Sequence, residues 1–179
     1  VAVGARDRLS MIYFGQSRSG LALGVQLDVG SKVPIATTAM GRAYIWALPD
    51  DERTQLLREL REHYGSRWPR IREGIERAGE LVAKRGFAIS VGEWQDDIHA
   101  AGVAITLNDG TGPYAFNCGA PAFRFTEDRL LNDIGPRLVT MIRSIEAALG
   151  GSSMPHSKKA DTKKSKGGGK VARMVAGIR

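Results

Sequence analysis

VGSKVPIATTAMGRAYIWAL, residues Val29 to Leu48, joins a strand predicted to end at Gly30 to a helix predicted to begin at Thr37 or Thr38. Pro34 sets the backbone angle between them and removes one donor. The helix start is made of small residues, Ala36 to Ala39 and then Gly41. A helix N-terminus presents unpaired N–H groups and the positive end of its dipole, which attract a carboxylate or phosphate. Small side chains let such a ligand approach. Met40, Ala43, Tyr44 and Ala47 recur at helical spacing and would lie on a sheet. Taken alone, the stretch is a capped packing helix.

Working outward, Leu21, Leu23, Val25, Leu27 and Val29 alternate without a break, which predicts a half-buried strand. Upstream, Val1–Gly4 and Leu9–Phe14 flank a polar turn and read as a hairpin. Downstream, Pro49 leads an acidic helix start that Gly65 ends, and Trp68-Pro69 opens a helix that Gly86 stops. Phe87–Val91 is a short strand. Ile98–Leu107 and Tyr114–Cys118 flank the hairpin turn NDGTG. Thr126 caps a last helical segment that Pro136 breaks or kinks, with Leu138, Met141, Ile142, Ile145 and Leu149 as the apolar stripe of the final helix. About six mostly antiparallel strands with flanking helices make an α+β domain.

The chain of 179 residues is 42% hydrophobic and 25% charged, enough for one globular domain with a core. Its net charge of +7 is local to one end. Of 26 Lys and Arg, eight lie in residues 151–179 with the single acid Asp161, leaving 18 bases against 18 acids in residues 1–150. We therefore divide the chain into a neutral domain, 1–150, and a basic tail, 151–179, expected to be disordered. The tail has no aromatic residue, so phosphate charge is all it offers a nucleic acid. One cysteine, Cys118, excludes an internal disulfide and a Cys-based zinc cluster and fits a reducing, cytoplasmic compartment. No apolar run approaches the ~18 residues of a membrane helix. The chain opens at Val1 within a strand, and is expected to be a domain cut from a longer protein.

Catalytic chemistry finds little footing. In either hairpin register weighed, Cys118 faces Gly102 or Val103 and His99 lies roughly 10–13 Å away, beyond the hydrogen-bond reach of a dyad. Glu93, Asp96 and Asp97 form an acidic loop without a clustered histidine. No metal, cofactor or catalytic set is expected.

The opening stretch resembles the segment of IclR-type transcriptional regulators in which a Gly, a Pro-aliphatic pair and small residues enter the central helix; Gly30, Pro34, Ile35, Ala39, Gly41, Arg42, Ala43 and Ala47 carry the match. RGFAISVGEW, Arg85–Trp94, resembles a second segment, and IHAAGVAITLNDGTGPYAFNCGAPAFRFTEDRL a third. The resemblance implies a GAF/profilin-like effector domain that binds a small acidic or aromatic metabolite, forms dimers or tetramers, and controls DNA binding by an N-terminal winged helix-turn-helix absent from this chain. It also implies a pocket lined by Ala22, Val25, Ala39, Met40, Glu93, Val103, Phe116 and Cys118. Ala39→Phe is then expected to block the ligand without unfolding the domain. The chain departs from the family at Val103, where Pro is usual, and at Phe116-Asn117-Cys118, where a small, Ser-rich run is usual. A differently shaped ligand follows. Two other classes compete: a small GAF-like enzyme using Cys118, and an accessory DNA-binding protein acting through its tail.

Overall fold

A computed structural model describes residues 1–17, 27–107 and 112–149. Six strands, β1 (Ala2–Asp7), β2 (Ser10–Gln16), β3 (Lys32–Pro34), β4 (Ala88–Val91), β5 (Ile98–Thr106) and β6 (Pro113–Pro121), form one antiparallel sheet in the order β3-β2-β1-β6-β5-β4. Helices α1 (Ala39–Ala47), α2 (Asp50–Tyr64) and α3 (Trp68–Arg85) are inserted between β3 and β4. A short turn of helix, α4 (Glu127–Arg129), runs through a π-helical segment, Leu130–Ile134, into α5 (Gly135–Leu149).

The expected α+β architecture is observed, as are the hairpin, the caps and the glycine stops. Thr38 is the N-cap of α1: its hydroxyl donates to the Pro34 carbonyl at 2.7 Å and accepts from Gly41 N–H at 3.2 Å, an arrangement worth about 1 kcal/mol. Gly65 and Gly86 end α2 and α3 with positive φ. Thr126 caps α4, accepting from Arg129 N–H at 3.3 Å.

Three local expectations change. Of the alternating strand Leu21–Val29, residues 21–26 lie outside the described residues. Its described end is not strand, since Val29-Gly30 form a turn and Val29 is 62% exposed. The strand entering α1 is instead the three residues of β3. In the β5–β6 hairpin Cys118 faces Ala101, one residue beyond the registers weighed above. Met141, assigned to the inner stripe of α5, is exposed, whereas Leu138 and Ile142 are buried. Pro136 is the second residue of α5, directly after the π-helical segment that interrupts the regular helix.

The sheet separates two cores. Ala88, Ala104, Ala115, Ala2, Met11, Tyr13 and Val33 face α1, and through it α2 and α3. Ala101, Val103 and Ile105 face the other way, under α5, with Leu130, Leu138 and Ile142. Period-two alternation along β5 produces this division: Gly102 and Ala104 meet α1, while their odd-numbered neighbours meet α5. Glycines set the close approaches. A Cβ on Gly102 would lie 2.3 Å from the Ala39 carbonyl oxygen, and one on Gly79 of α3 would lie 2.2 Å from the Trp46 ring. The α1 helix is therefore buried from Ala39 to Ile45, and only Trp46 and Ala47 at its C-terminal end are partly exposed.

Candidate functional site

On an otherwise apolar, enclosed helix, Arg42 is 2% exposed, and a buried guanidinium is tolerable only when its donors are met. Its Nε donates to the Ala36 carbonyl at 3.0 Å, and one terminal nitrogen donates to the Ile89 carbonyl at 3.4 Å and to Glu93 Oε1 at 2.7 Å. The other terminal nitrogen donates to Glu93 Oε2, so the pair is bidentate. Burial pushes the Glu93 carboxyl up, but the hydrogen bonds and charge of Arg42, with Arg77 and Arg70 farther off, outweigh it and hold the group below its ordinary value. Gly74 of α3 leaves the room: a Cβ there would stand 2.3 Å from the guanidinium. One cluster thus ties the start of α1, the edge strand β4, the loop after it and α3 together.

Beside this cluster the N-terminus of α1 lies against the sheet. Ser90 Oγ donates to the Thr37 carbonyl at 2.8 Å. Asn117 donates to the Tyr13 hydroxyl at 3.0 Å. Burial pushes the Tyr13 phenol up, more than Asn117 pulls it down, so it stays a neutral hydroxyl at physiological pH. Ala100 and Gly119 lie between these polar groups, and a Cβ on exposed Gly119 would make only ordinary contacts. Tyr13, Ser90, Ala100, Asn117 and Gly119 thus lie on the face of the sheet that carries α1, Tyr13, Ser90 and Ala100 buried and Gly119 exposed.

The residues expected to line a pocket fall into groups. Ala22 and Val25 lie outside the described residues. Ala39 and Met40 are on the α1 side but 1% and 0% exposed, Ala39 against Gly102 and Met40 within the core. Glu93 holds Arg42. Val103, Phe116 and Cys118 point to the opposite face, toward α5. The sheet therefore stands between Met40 and Phe116, and the structure does not bring these residues into one cavity. Nor has Ala39→Phe the space to act on a ligand alone, since a phenyl ring at a site enclosed on all sides must displace the core. Alternation makes the sorting legible in retrospect: Asn117 and Gly119, each the next residue after one chosen on β6, share the face of α1. The Arg42 site also had a signal, a single cation in a helix with no polar side.

Cys118 and His99 do share a face, two residues apart along the hairpin, closer than the other registers allow. Yet His99 Nδ1 is 2.6 Å from the Phe125 carbonyl oxygen. Burial pushes the Cys118 thiol up, against weaker pulls from the amino terminus and Arg137, which leaves it less of a nucleophile at neutral pH. Among the described residues no three His, Cys, Asp or Glu gather as metal ligands, and no helix is long and apolar enough to cross a membrane.

A six-stranded antiparallel sheet with helices inserted after β3 and appended after β6 defines a GAF/profilin-like α+β domain. A family model described as the bacterial transcriptional regulator IclR C-terminal domain matches residues 1–147, and the chain belongs to this family. The HTH-type transcriptional regulator TsaQ1/TsaQ2 of Comamonas testosteroni is 29% identical over 157 residues, 87% of this chain and 56% of that protein. The crystal structure of an IclR family transcriptional regulator from Brucella abortus aligns with a TM-score of 0.79 and 38% identity over 83% of this chain and 56% of its own. The inducer-binding domain of PobR from Acinetobacter, a double mutant in complex with 3-hydroxybenzoic acid, aligns with a TM-score of 0.61 over 80% of this chain and 85% of its own; at 15% identity the likeness is one of fold. The chain thus spans a little over half the length of the first two. Those relatives are transcriptional regulators.

Proposed function

We propose that this chain is the effector-binding half of an IclR-type regulator, and that a small organic acid binds at the mouth of α1. The carrying observation is the juxtaposition of the α1 N-terminus with the small floor of Ala100 and Gly119 and the polar rim of Thr37, Asn117 and Tyr13. A helix N-terminus favours a carboxylate, and neutral hydroxyl and amide groups can hydrogen-bond it without repelling it. An aromatic acid is favoured over a smaller one, as the 3-hydroxybenzoic acid bound by the PobR domain illustrates for a related fold. Of the residues first expected at the site, Ala39 supplies backbone beneath the ligand and Glu93 bounds it through Arg42. Ligand binding would then shift the Arg42–Glu93 cluster and be read by a winged helix-turn-helix elsewhere in the whole regulator, acting on DNA as a dimer or tetramer.

A thermal-shift screen with aliphatic and aromatic carboxylic acids tests this reading, because a ligand that binds only the folded state raises its melting temperature. Gly119→Val, at an exposed position with room for a side chain, is expected to leave the unliganded melting temperature within about 2 °C, a surface-level effect, and to abolish the ligand shift. A full shift retained in Gly119→Val would place the ligand elsewhere.

A further inference from the structure

The Arg42–Glu93 pair joins two unlike partners. Arg42 is fixed on α1 and is the one charged side chain among the described residues to be buried. Glu93 lies in the loop between β4 and β5, its side chain 30% exposed. That loop begins at Gly92, whose φ is 63°, and is closed by bonds from Gly92 N–H to the Ile98 carbonyl and from Ile98 N–H to the Gln95 carbonyl. Neither bond involves Glu93. The cation is therefore the fixed member of the pair and the carboxylate the replaceable one.

Glu93 itself shows that the space beside the guanidinium accepts a planar carboxylate, gripped by both terminal nitrogens. Gly74 keeps that space clear, since a Cβ there would lie 2.9 Å from Glu93 Oε2. Arg42 Nε also reaches back to the Ala36 carbonyl, two residues before the N-cap, which sets the guanidinium beside the start of α1. A carboxylate there meets a guanidinium and the positive end of a helix dipole together. The surroundings carry more positive charge than Glu93 neutralises. Arg70 and Arg77 stand one turn either side of Gly74 on α3, both exposed and both acting on the Glu93 carboxyl. Arg77 is paired with Glu73, whereas Arg70 has no ion pair among the described residues.

We propose that Arg42 is a carboxylate-binding residue whose place is held by Glu93 until an acidic ligand displaces it, Glu93 then moving to Arg70. This deepens, and rests on, the proposed binding of an organic acid at the start of α1. The exchange conserves ion pairs: Arg42 keeps a carboxylate, and Arg70 gains the one it lacks. Two such arrangements make a switch that a ligand tips by its differential affinity for them. What moves is the loop from Gly92 to Asp97, so occupancy of the site is passed to the β4–β5 corner beside α3.

The test is calorimetric titration with benzoate at constant ionic strength. It uses the full 179-residue chain, its Glu93→Gln and Arg70→Gln variants and the double variant, each checked for folding by a cooperative thermal melt. Glu93→Gln removes the competing charge and keeps its shape, so benzoate should bind on the order of tenfold tighter than to the parent. Arg70→Gln should weaken binding to the parent about threefold, the worth of one exposed ion pair, and should change nothing once Glu93 is Gln. Parent-level or weaker binding by folded Glu93→Gln would overturn the exchange while leaving an acid site in place. So would equal effects of Arg70→Gln with and without Glu93, which would make Arg70 an ordinary attracting charge. If no chain binds benzoate the exchange falls, and the screen of carboxylic acids decides separately whether the domain binds an acid at all.

Discussion

Met11 and Ile12 are neighbours on one strand, and they belong to two different kinds of surface. Met11 faces α1 and is 0% exposed; Ile12 faces the other way, beside α5, and is only partly buried. The α1 side is closed because three helices are layered over it, with glycines at the contacts where backbones nearly touch. Among the described residues the α5 side is covered by α5 and the segment before it, over the β5–β6 half of the sheet. Close packing leaves the part of the first surface beneath α1 little tolerance for change, while the end of β6 at exposed Gly119, on the same face, has room for a side chain. The same sheet thus holds a rigid seat for α1 on one side and a partly exposed apolar strip on the other.

Substitutions that fill or empty the two sides should separate them clearly. Gly102→Val, which drives a branched side chain into the Ala39 carbonyl, is expected to cost about 4 kcal/mol or more, measured as a loss of urea midpoint or of soluble protein. Stability within 1 kcal/mol of the parent would mean that α1 does not sit against β5 as described. Next, Met11→Ala should cost about 3 kcal/mol while Ile12→Ala costs under 1, both read by urea unfolding at unchanged m-value. Equal costs would show that both faces are enclosed in solution.

The smallest effect belongs to the ion pair. Glu93→Gln leaves a buried guanidinium without its counter-charge, but the carboxylate side chain is 30% exposed and water can replace it, so about 1–2 kcal/mol is expected. Its pH signature is more specific. Because the folded-state pKa of Glu93 is depressed, its contribution is present above the ordinary value of 4.5 and is lost as pH falls through the lowered folded one. Glu93→Gln should therefore flatten the loss of stability below pH 4.5, measured by thermal melts from pH 6 to pH 3. An acid limb identical to the parent's would remove Glu93 from that account.

Much of the fold was legible locally. Thr38, Thr126, Gly65 and Gly86 act within one turn of themselves, so caps and stops follow from residue type alone. Hairpins were legible for the same reason, although the β5–β6 register was not: it depends on the loop between the strands, and a one-residue difference is invisible to composition. The site was less legible because a strand's period of two sends neighbours to opposite faces. Choosing Val103, Phe116 and Cys118 on one side and Met40 on the other required knowing which face α1 covers.

The sequence by itself determined the element order, the α+β class, the kinship carried by VGSKVPIATTAMGRAYIWAL and the neutrality of residues 1–150, because periodicity, capping and charge are properties of short segments. Only the tertiary structure decided that Arg42 is buried and spent on Glu93, that Gly74, Gly79 and Gly102 are spacers between elements, and that Asn117 and Gly119 share the face of the sheet that carries α1. Those facts depend on which residues distant in the chain come within a few ångströms, and close packing, unlike periodicity, is not written in any one segment.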